Sequence, residues 1–218
     1  VHPFGGLSVA SLFNKHPDIM VTPRLPVHDD AAKNNELGLN YLVRQEDHAA
    51  EIVSVCTSAS LLPYGVVKLD MNPETKLPQM TWTPPTSFRS DPTMELFEPE
   101  RGRWCAFKYR RTIALLRASG RYKEEKINAL AAATMAKEGR TFEEATTEVW
   151  IWEQFVYEYV EGKERLLIAV QAVGSEDLLM EDQFTDVIGL PCRVLNFSRP
   201  MYGESHYPTS QGEVWLVQ

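Results

Sequence analysis

The sequence predicts a mainly α-helical fold, an antiparallel helical-hairpin array with long proline-rich extended arms. Residues 100–188 form the longest window of the chain without proline. Glycines divide this window at helix-length intervals, at Gly102, Gly120, Gly139, Gly162 and Gly174. Because proline is excluded from helix interiors and glycine commonly follows a helix end, the window indicates four or five consecutive helices.

The prolines also set the predicted domain organisation. It comprises an N-terminal extended arm (1–28), a helix (29–62), a proline-rich extended segment (63–99), the helical array (100–188) and a C-terminal extended tail (189–218). Asp29 and Asp30 indicate where the first helix begins, since acidic side chains cap helix N-termini and favour the positive end of the dipole. Pro63 marks its end. Residues 64–69 are predicted to form a short strand.

The helical array is predicted in five pieces, spanning residues 103–119, 121–138, 141–160, 164–173 and 177–188. Thr141 and Glu144 have the spacing of a capping box, which satisfies two free backbone N–H groups at a helix start. The helix that they open carries many aromatic side chains, namely Trp150, Trp152, Phe155 and Tyr157. So aromatic a helix must be covered on most sides, either by its own domain or by a partner.

Composition limits the class of protein. A chain of 218 residues can bury a substantial core, and 44% hydrophobic with 24% charged residues is ordinary for a folded protein. No stretch approaches the roughly 18 consecutive apolar residues of a membrane span, so we expect no transmembrane segment. The net charge of −8 argues against a general nucleic-acid coat, whose affinity comes mainly from Lys and Arg.

The cysteines and the first residue bear on location. Cys56, Cys105 and Cys192 are odd in number and far apart, which fits neither a disulfide scaffold nor a zinc site and favours a reducing compartment. The chain begins with Val1, as expected if a targeting segment has been removed. We therefore expect a mitochondrial location, on the matrix side or associated with the inner membrane.

The turn at residues 136–145, with the sequence AKEGRTFEEA, resembles the inter-helix turn of pentatricopeptide and tetratricopeptide-type repeats. A poorer echo, GRYKEE, occupies residues 120–125. The resemblance implies a right-handed stack of helical hairpins that binds RNA or protein. Among similar helical-repeat proteins are accessory subunits of the mitochondrial ATP synthase.

No motif for catalysis, cofactor binding or metal binding is found. The run from Gly203 to Tyr207 approaches a nucleophile elbow, but it lacks the second glycine, precedes Pro208 and has no later histidine. His48 and Glu51 would share a helix face as metal ligands sometimes do, although a solvated, charged face is the favoured interpretation. We predict no catalytic residue, no cofactor and no metal.

Charge is strongly segregated along the chain. Residues 101–123 contain eight basic residues and no acidic one, so this stretch is +8 and the remainder is −16, which sums to −8. One explanation is a docking surface for RNA, acidic lipid headgroups or an acidic protein. The other is internal neutralisation by the acidic segment 138–164. The sequence leaves both explanations open.

The leading functional hypothesis is a non-catalytic accessory subunit of a large mitochondrial complex, either of the respiratory chain or ATP synthase. It would bind other protein subunits through its extended arms and the aromatic helix. The candidate partner-binding residues are Trp104, Arg110, Arg111, Trp150, Phe155, Tyr157 and Trp215, with Trp152 beside them. The alternatives are an RNA-binding helical-repeat protein or mitoribosomal subunit that uses a basic helix at 101–123, and an enzyme with an unrecognised site.

Overall fold

The computed structural model describes residues 18–45, 48–62, 64–71, 75–92, 102–138, 143, 145–175, 178–180, 183–185 and 189–196. Over these residues the fold is mixed α/β, with four helices, two antiparallel sheets and 38% strand. The predicted helical-hairpin array is therefore wrong, and the described residues contain no helical repeat. The chain forms two compact units, one from residues 1–85 with 191–218 and the other from 86–190.

In the first unit, two helices accompany a three-stranded sheet. Its elements are α1 (Asp29–Gln45), α2 (His48–Leu61), β1 (Gly65–Met71), β2 (Pro78–Thr83) and β8 (Cys192–Leu195), and the strand order is β2-β1-β8. The predicted helix start at Asp29 and the predicted strand at residues 64–69 are confirmed. A Cβ on Gly65 would collide with the backbone carbonyl of Val55, so glycine lets α2 lie close against β1.

In the second unit, two helices accompany a five-stranded sheet. Its elements are β3 (Phe88–Ser90), β4 (Trp104–Thr112), α3 (Ile113–Ala118), α4 (Glu124–Glu138), β5 (Glu148–Val160), β6 (Lys163–Ala172) and β7 (Gln183–Thr185). The strand order is β3-β4-β5-β6-β7, and every neighbouring pair is antiparallel. Of the five predicted helices in this region, 121–138 is confirmed as α4.

The remaining predicted helices are corrected to strands or to a strand followed by a short helix. Residues 103–119 form β4 and α3, and the aromatic segment forms β5. The predicted helix at 164–173 is β6 (Lys163–Ala172), and the one at 177–188 contains β7 (Gln183–Thr185). Along the first half of β5, every second residue is buried, which is the period of a strand. β5 and β6 are joined by Glu161 and Gly162, both with positive φ, as the two-residue turns of β-hairpins require. Gly162 thus marks a hairpin turn and not a helix end.

The core of the second unit lies between the helices and one face of the sheet. Its members are Ile113 and Leu116 from α3, Ile127 and Ala131 from α4, Val149 and Ile151 from β5, Val170 and Ala172 from β6, and Leu179 and Met180 from the following segment. Thr112 caps α3 by accepting a hydrogen bond from the Leu115 N–H. The helices therefore cover one face of the sheet.

Several sequence predictions concern residues that the structure does not describe. These are the arm up to residue 17, most of the repeat-like turn at 139–142, and the tail beyond residue 196 with Trp215 and the Gly203 to Tyr207 run. Among the described helices, none has the length and apolar character needed to span a membrane.

Candidate partner-binding face

The five-stranded sheet has a second face, on the side away from the core that it forms with α3 and α4. Successive strand residues alternate between faces, and directly opposed residues of paired strands share one. We call this second face the open face. It includes Arg89 on β3, Trp104, Ala106, Lys108 and Arg110 on β4, Glu148, Trp150, Trp152, Gln154 and Glu158 on β5, Arg165, Leu167, Ala169 and Gln171 on β6 and Phe184 on β7. Ala106, Leu167 and Ala169 are buried although they lie on this face. The other side, packed by α3 and α4, is the covered face.

Tryptophan rings and cations are held together at the centre of the open face. Lys108 Nζ lies 4.8 Å from the ring centroid of Trp150 and 5.7 Å from that of Trp152. The Arg110 guanidinium carbon lies 4.5 Å from the Trp150 ring centroid. This follows from the register, which places Arg110 opposite Trp150 and Lys108 opposite Trp152. Cation–π attraction thus positions both positive charges beside exposed aromatic surface.

A pair of amide side chains continues the open face toward β6. Gln154 Nε2 donates to Gln171 Oε1 at 3.0 Å, and Gln171 in turn donates to the Ser175 carbonyl. These bonds fix the positions of both amides. The two amides form a polar surface beside the half-buried Trp152 side chain.

The charges of the open face are arranged with the cations in the middle and the acids at the two ends. Lys108 and Arg110 lie over the tryptophans, and Arg89 is exposed on the neighbouring β3. Of the acids that β5 contributes to this face, Glu148 is its first residue and Glu158 lies opposite Arg165 near its other end. The centre of the face is therefore positively charged.

The structure divides the predicted partner-binding residues between the two faces. Trp104, Arg110 and Trp150 share the open face with Trp152. Phe155 is on the covered face, only 6% exposed, with its ring centroid 6.0 Å from that of Phe107 in an edge-on contact. Phe155 is therefore a core residue of this unit, while Arg110 and Trp150 are in contact on the open face and Trp104 lies further along it, opposite Val156.

Tyr157 and Arg111 also lie on the covered side of their strands. The Tyr157 hydroxyl accepts a hydrogen bond of 2.6 Å from the Gly189 N–H, so it tethers the segment after β7. Arg111 is exposed and stacks on Tyr109, with 4.9 Å between its guanidinium carbon and the ring centroid. Arg110 and Arg111 are adjacent in sequence yet serve opposite faces.

Sequence reasoning missed Lys108 as a member of the site. The signal that could have found it is the alternation of Trp104, Ala106, Lys108 and Arg110 at every second position of a segment rich in aromatic residues. That pattern indicates one face of a strand. Placing Lys108 beside Trp152 also needs the β4–β5 register, which the alternation alone does not supply.

The basic stretch 101–123 is partly neutralised by nearby acids. Arg110 pairs with Glu148 at 3.2 Å and Arg121 lies 4.0 Å from Glu153, so two of its cations meet the acidic segment 138–164. Arg117 pairs with Glu124 at 2.7 Å. Internal neutralisation therefore accounts for part of the stretch, and the cations over the tryptophans remain at the surface.

The covered face contains a buried polar cluster. The Glu153 side chain is almost fully buried, and Tyr109 and Tyr122 pack against the adjoining core. Burial raises the pKa of Tyr109 well above its usual range, and the negative charge of Glu153 and a hydrogen bond with Tyr122 act in the same direction. Tyr109 is therefore held protonated, as a structural hydroxyl between the helices and the sheet.

His48 and Glu51 lie in α2 of the first unit, where Glu51 helps to attach the helix to the sheet. Glu51 accepts a hydrogen bond from the Trp82 backbone N–H, and the Trp82 indole N–H donates to Ser58 Oγ at 2.8 Å. These bonds attach α2 to β2. His48 is buried beside them in the same helix. In the described part of the chain, no group of three His, Cys, Asp or Glu side chains could hold a metal ion.

Comparison with known proteins does not add a family. No protein-family model matches the chain, and a search of curated proteins finds no match. Function must therefore be argued from the open face.

Proposed function

We propose that this chain is a non-catalytic accessory subunit of a larger assembly, and that it binds its partner through the open face. The observation that carries the proposal is the cluster of Trp150 and Trp152 with Lys108 and Arg110 on that face. Trp and Arg are the residues most enriched at the energetic centres of interfaces, because they bury a large area at low entropic cost.

The cluster is unlike the surface of a protein that acts alone. Trp150 is 39% exposed, and Phe184 on β7 of the same face is 42% exposed. Exposed apolar groups bordered by polar groups are typical of binding sites. The stems of Lys108 and Arg110 shield part of this apolar area before a partner binds.

The proposed location is the mitochondrion, in a respiratory-chain or ATP-synthase-sized assembly. Its support is the cysteine usage, since Cys56, Cys105 and Cys192 are buried and are not joined in disulfides, as suits a reducing compartment. Subcellular fractionation with an antibody to the chain measures this part of the proposal directly.

The docking role is tested by following the chain into its native assembly. Tagged full-length chain and its Trp150→Ala variant are expressed in the source cells, and extracts are separated by native electrophoresis or size exclusion. Wild type is expected at high mass and Trp150→Ala as free chain, which remains folded with a melting temperature lowered by several degrees. The matched control is Tyr159→Ala, which removes a 78% exposed aromatic from the same strand but the other face.

Two results would contradict the proposal. Trp150→Ala that stays in the high-mass fraction would show that the open face does not bind the partner. A wild-type chain that migrates only at its monomer mass would show that it is not part of a larger assembly.

A further inference from the structure

The tryptophan rings and cations of the open face favour one class of partner over others. We propose that it binds single-stranded nucleic acid, with bases stacked on the tryptophans and phosphates contacting Lys108 and Arg110. This inference rests on the proposed function, because it names the partner of the same face. It is carried by the position of the cations relative to the rings, by the spacing of the rings and by the distribution of the acids.

The position of the cations favours an anionic ligand with planar groups. In protein–protein interfaces Arg is enriched but Lys is depleted from the buried centre, so Lys108 is the residue that a protein partner accounts for least. Here Lys108 and Arg110 lie directly over Trp150, at 4.8 Å and 4.5 Å, in the middle of the aromatic cluster. A nucleic acid places a phosphate beside every base, so it satisfies both kinds of group at once.

The spacing of the rings favours an unpaired strand over a duplex. Trp150 and Trp152 are alternate residues of β5, so their Cα atoms are about 7 Å apart. That is about twice the 3.4 Å rise per nucleotide of a helical strand. Bases that stack on both rings must therefore be separated from each other, as in single strands and loops recognised on aromatic side chains.

The acids of the face leave a path for the phosphates. Glu148 and Glu158 lie toward the two ends of β5, and Arg89 extends the positive charge from β4 to β3. A strand that crosses the sheet from β3 over the tryptophans meets Arg89 and Lys108 away from both acids, and it reaches Arg110 where that side chain pairs with Glu148 at 3.2 Å. This holds although the whole chain is −8, since the face is locally positive.

Binding is measured with the full-length chain and a fluorescein-labelled oligouridine RNA of about 12 nucleotides, a length within the range of known single-strand sites. Fluorescence anisotropy gives the Kd at low salt and its dependence on salt. Binding with a log–log salt slope near −1.4, or about −0.7 for each of two phosphates, is expected. Quenching of tryptophan fluorescence on binding reports stacking.

The neighbouring arginines provide a matched pair of variants. Arg110→Glu and Arg111→Glu make the same change in charge at adjacent positions on opposite faces. Arg110→Glu is expected to weaken RNA binding about tenfold or more, and Arg111→Glu by less than about threefold. Equal losses would show that only total charge matters and would overturn the inference. Melting temperatures of both variants report whether each remains folded.

A second pair of variants tests stacking. Trp150→Ala is expected to weaken RNA binding by about fivefold to a hundredfold, the usual loss for one stacked base. Tyr159→Ala is expected to leave it unchanged. Lost quenching in Trp150→Ala supports the inference. A duplex RNA of the same length that binds as tightly as the single strand overturns it.

A second binding probe tests the identity of the partner independently of the docking role. Labelled poly-glutamate carries negative charge without planar bases and represents an acidic polypeptide. If it binds and depends on Arg110 while RNA does not, the nucleic-acid inference is overturned and the accessory-subunit proposal stands. If Trp150→Ala still enters the native assembly, the proposed function is wrong whether or not the chain binds RNA. Absence of RNA binding at low salt overturns the inference outright.

Discussion

The two faces of the five-stranded sheet are made by the same strands and differ in what their aromatic side chains contact. On the covered face, Phe155 contacts Phe107, Ile151 is fully buried, and α3 and α4 complete the core. On the open face, Trp150 contacts Lys108 and Arg110 and remains exposed to water. Side chains of similar size and hydrophobicity thus serve packing on one side and are available for binding on the other.

The difference between the two faces shows how β5 can contribute to stability on one side and to binding on the other. Because side chains alternate, residues 149, 151 and 155 of β5 stabilise the fold while residues 150 and 152 can change without opening the core. Stability and binding should therefore separate cleanly by residue parity. The predictions below test that separation.

The largest effect is expected on the covered face. Phe155→Ala should lower the free energy of unfolding by about 3–5 kcal/mol, because it removes a buried ring and leaves a cavity beside Phe107. Urea unfolding of wild type and variant measures the change. A loss below about 1 kcal/mol would mean that the covered face is not the stabilising one.

The polar cluster of the covered face predicts a dependence on alkaline pH. Because the pKa of Tyr109 is raised in the folded state by burial, by Glu153 and by Tyr122, its contribution is fully present below pH about 10 and is lost as pH rises. Above that pH the unfolded chain binds fewer protons. Wild type should then lose up to about 1.4 kcal/mol per pH unit more than Tyr109→Phe.

The measurement for this prediction is urea unfolding at a series of alkaline pH values. Tyr159→Phe is the matched control, since its side chain is 78% exposed and in contact with water. Parallel pH curves for wild type and Tyr109→Phe would show that Tyr109 is not desolvated in the folded protein.

A smaller loss of stability is expected on the open face. Trp150→Ala should lower the free energy of unfolding by about 1–2 kcal/mol, because it removes two cation–π contacts at an exposed site. The same urea experiment measures it. A loss as large as that of Phe155→Ala would place Trp150 in the core and remove the distinction between the faces.

Local signals in the sequence were sufficient for part of the fold. Asp29 begins α1, residues 124–138 form α4, and the strand expected at 64–69 is β1. Acidic residues at a helix start, a long run of alanines and other helix formers, and a short β-branched run determine these elements without help from distant residues.

β5 was mispredicted because its apolar residues fit two periods. With Val, Trp, Ile, Phe and Tyr at most positions of 148–160, both a helical stripe and a strand alternation can be drawn through it. The glycine spacing favours helices, yet Gly162 and Gly174 have positive φ in turns next to strands. The β-branched and aromatic composition, with the Glu161-Gly162 turn, was the stronger local signal.

The candidate site was predictable in its residue types and not in its geometry. Trp104, Arg110 and Trp150 stood out by chemistry, since exposed aromatics and basic runs favour binding. Their separation from Arg111 and Phe155 depends on strand alternation and on the β4–β5 pairing. Pairing joins residues some forty positions apart, so no local pattern specifies it.

The smallest change in stability, and a gain in binding, is expected from Glu148→Gln at the end of the open face. The Arg110–Glu148 pair is at least half exposed on both sides, so its loss should change the free energy of unfolding by less than about 0.5 kcal/mol. Affinity for the oligouridine RNA should rise about two- to threefold, since Arg110 is released and a negative charge is removed. Glu164→Gln, the same change in charge on an exposed residue of β6 that belongs to the other face, should leave affinity unchanged. Equal gains in the two variants would mean that RNA affinity depends on net charge alone. RNA would then not bind specifically at the open face.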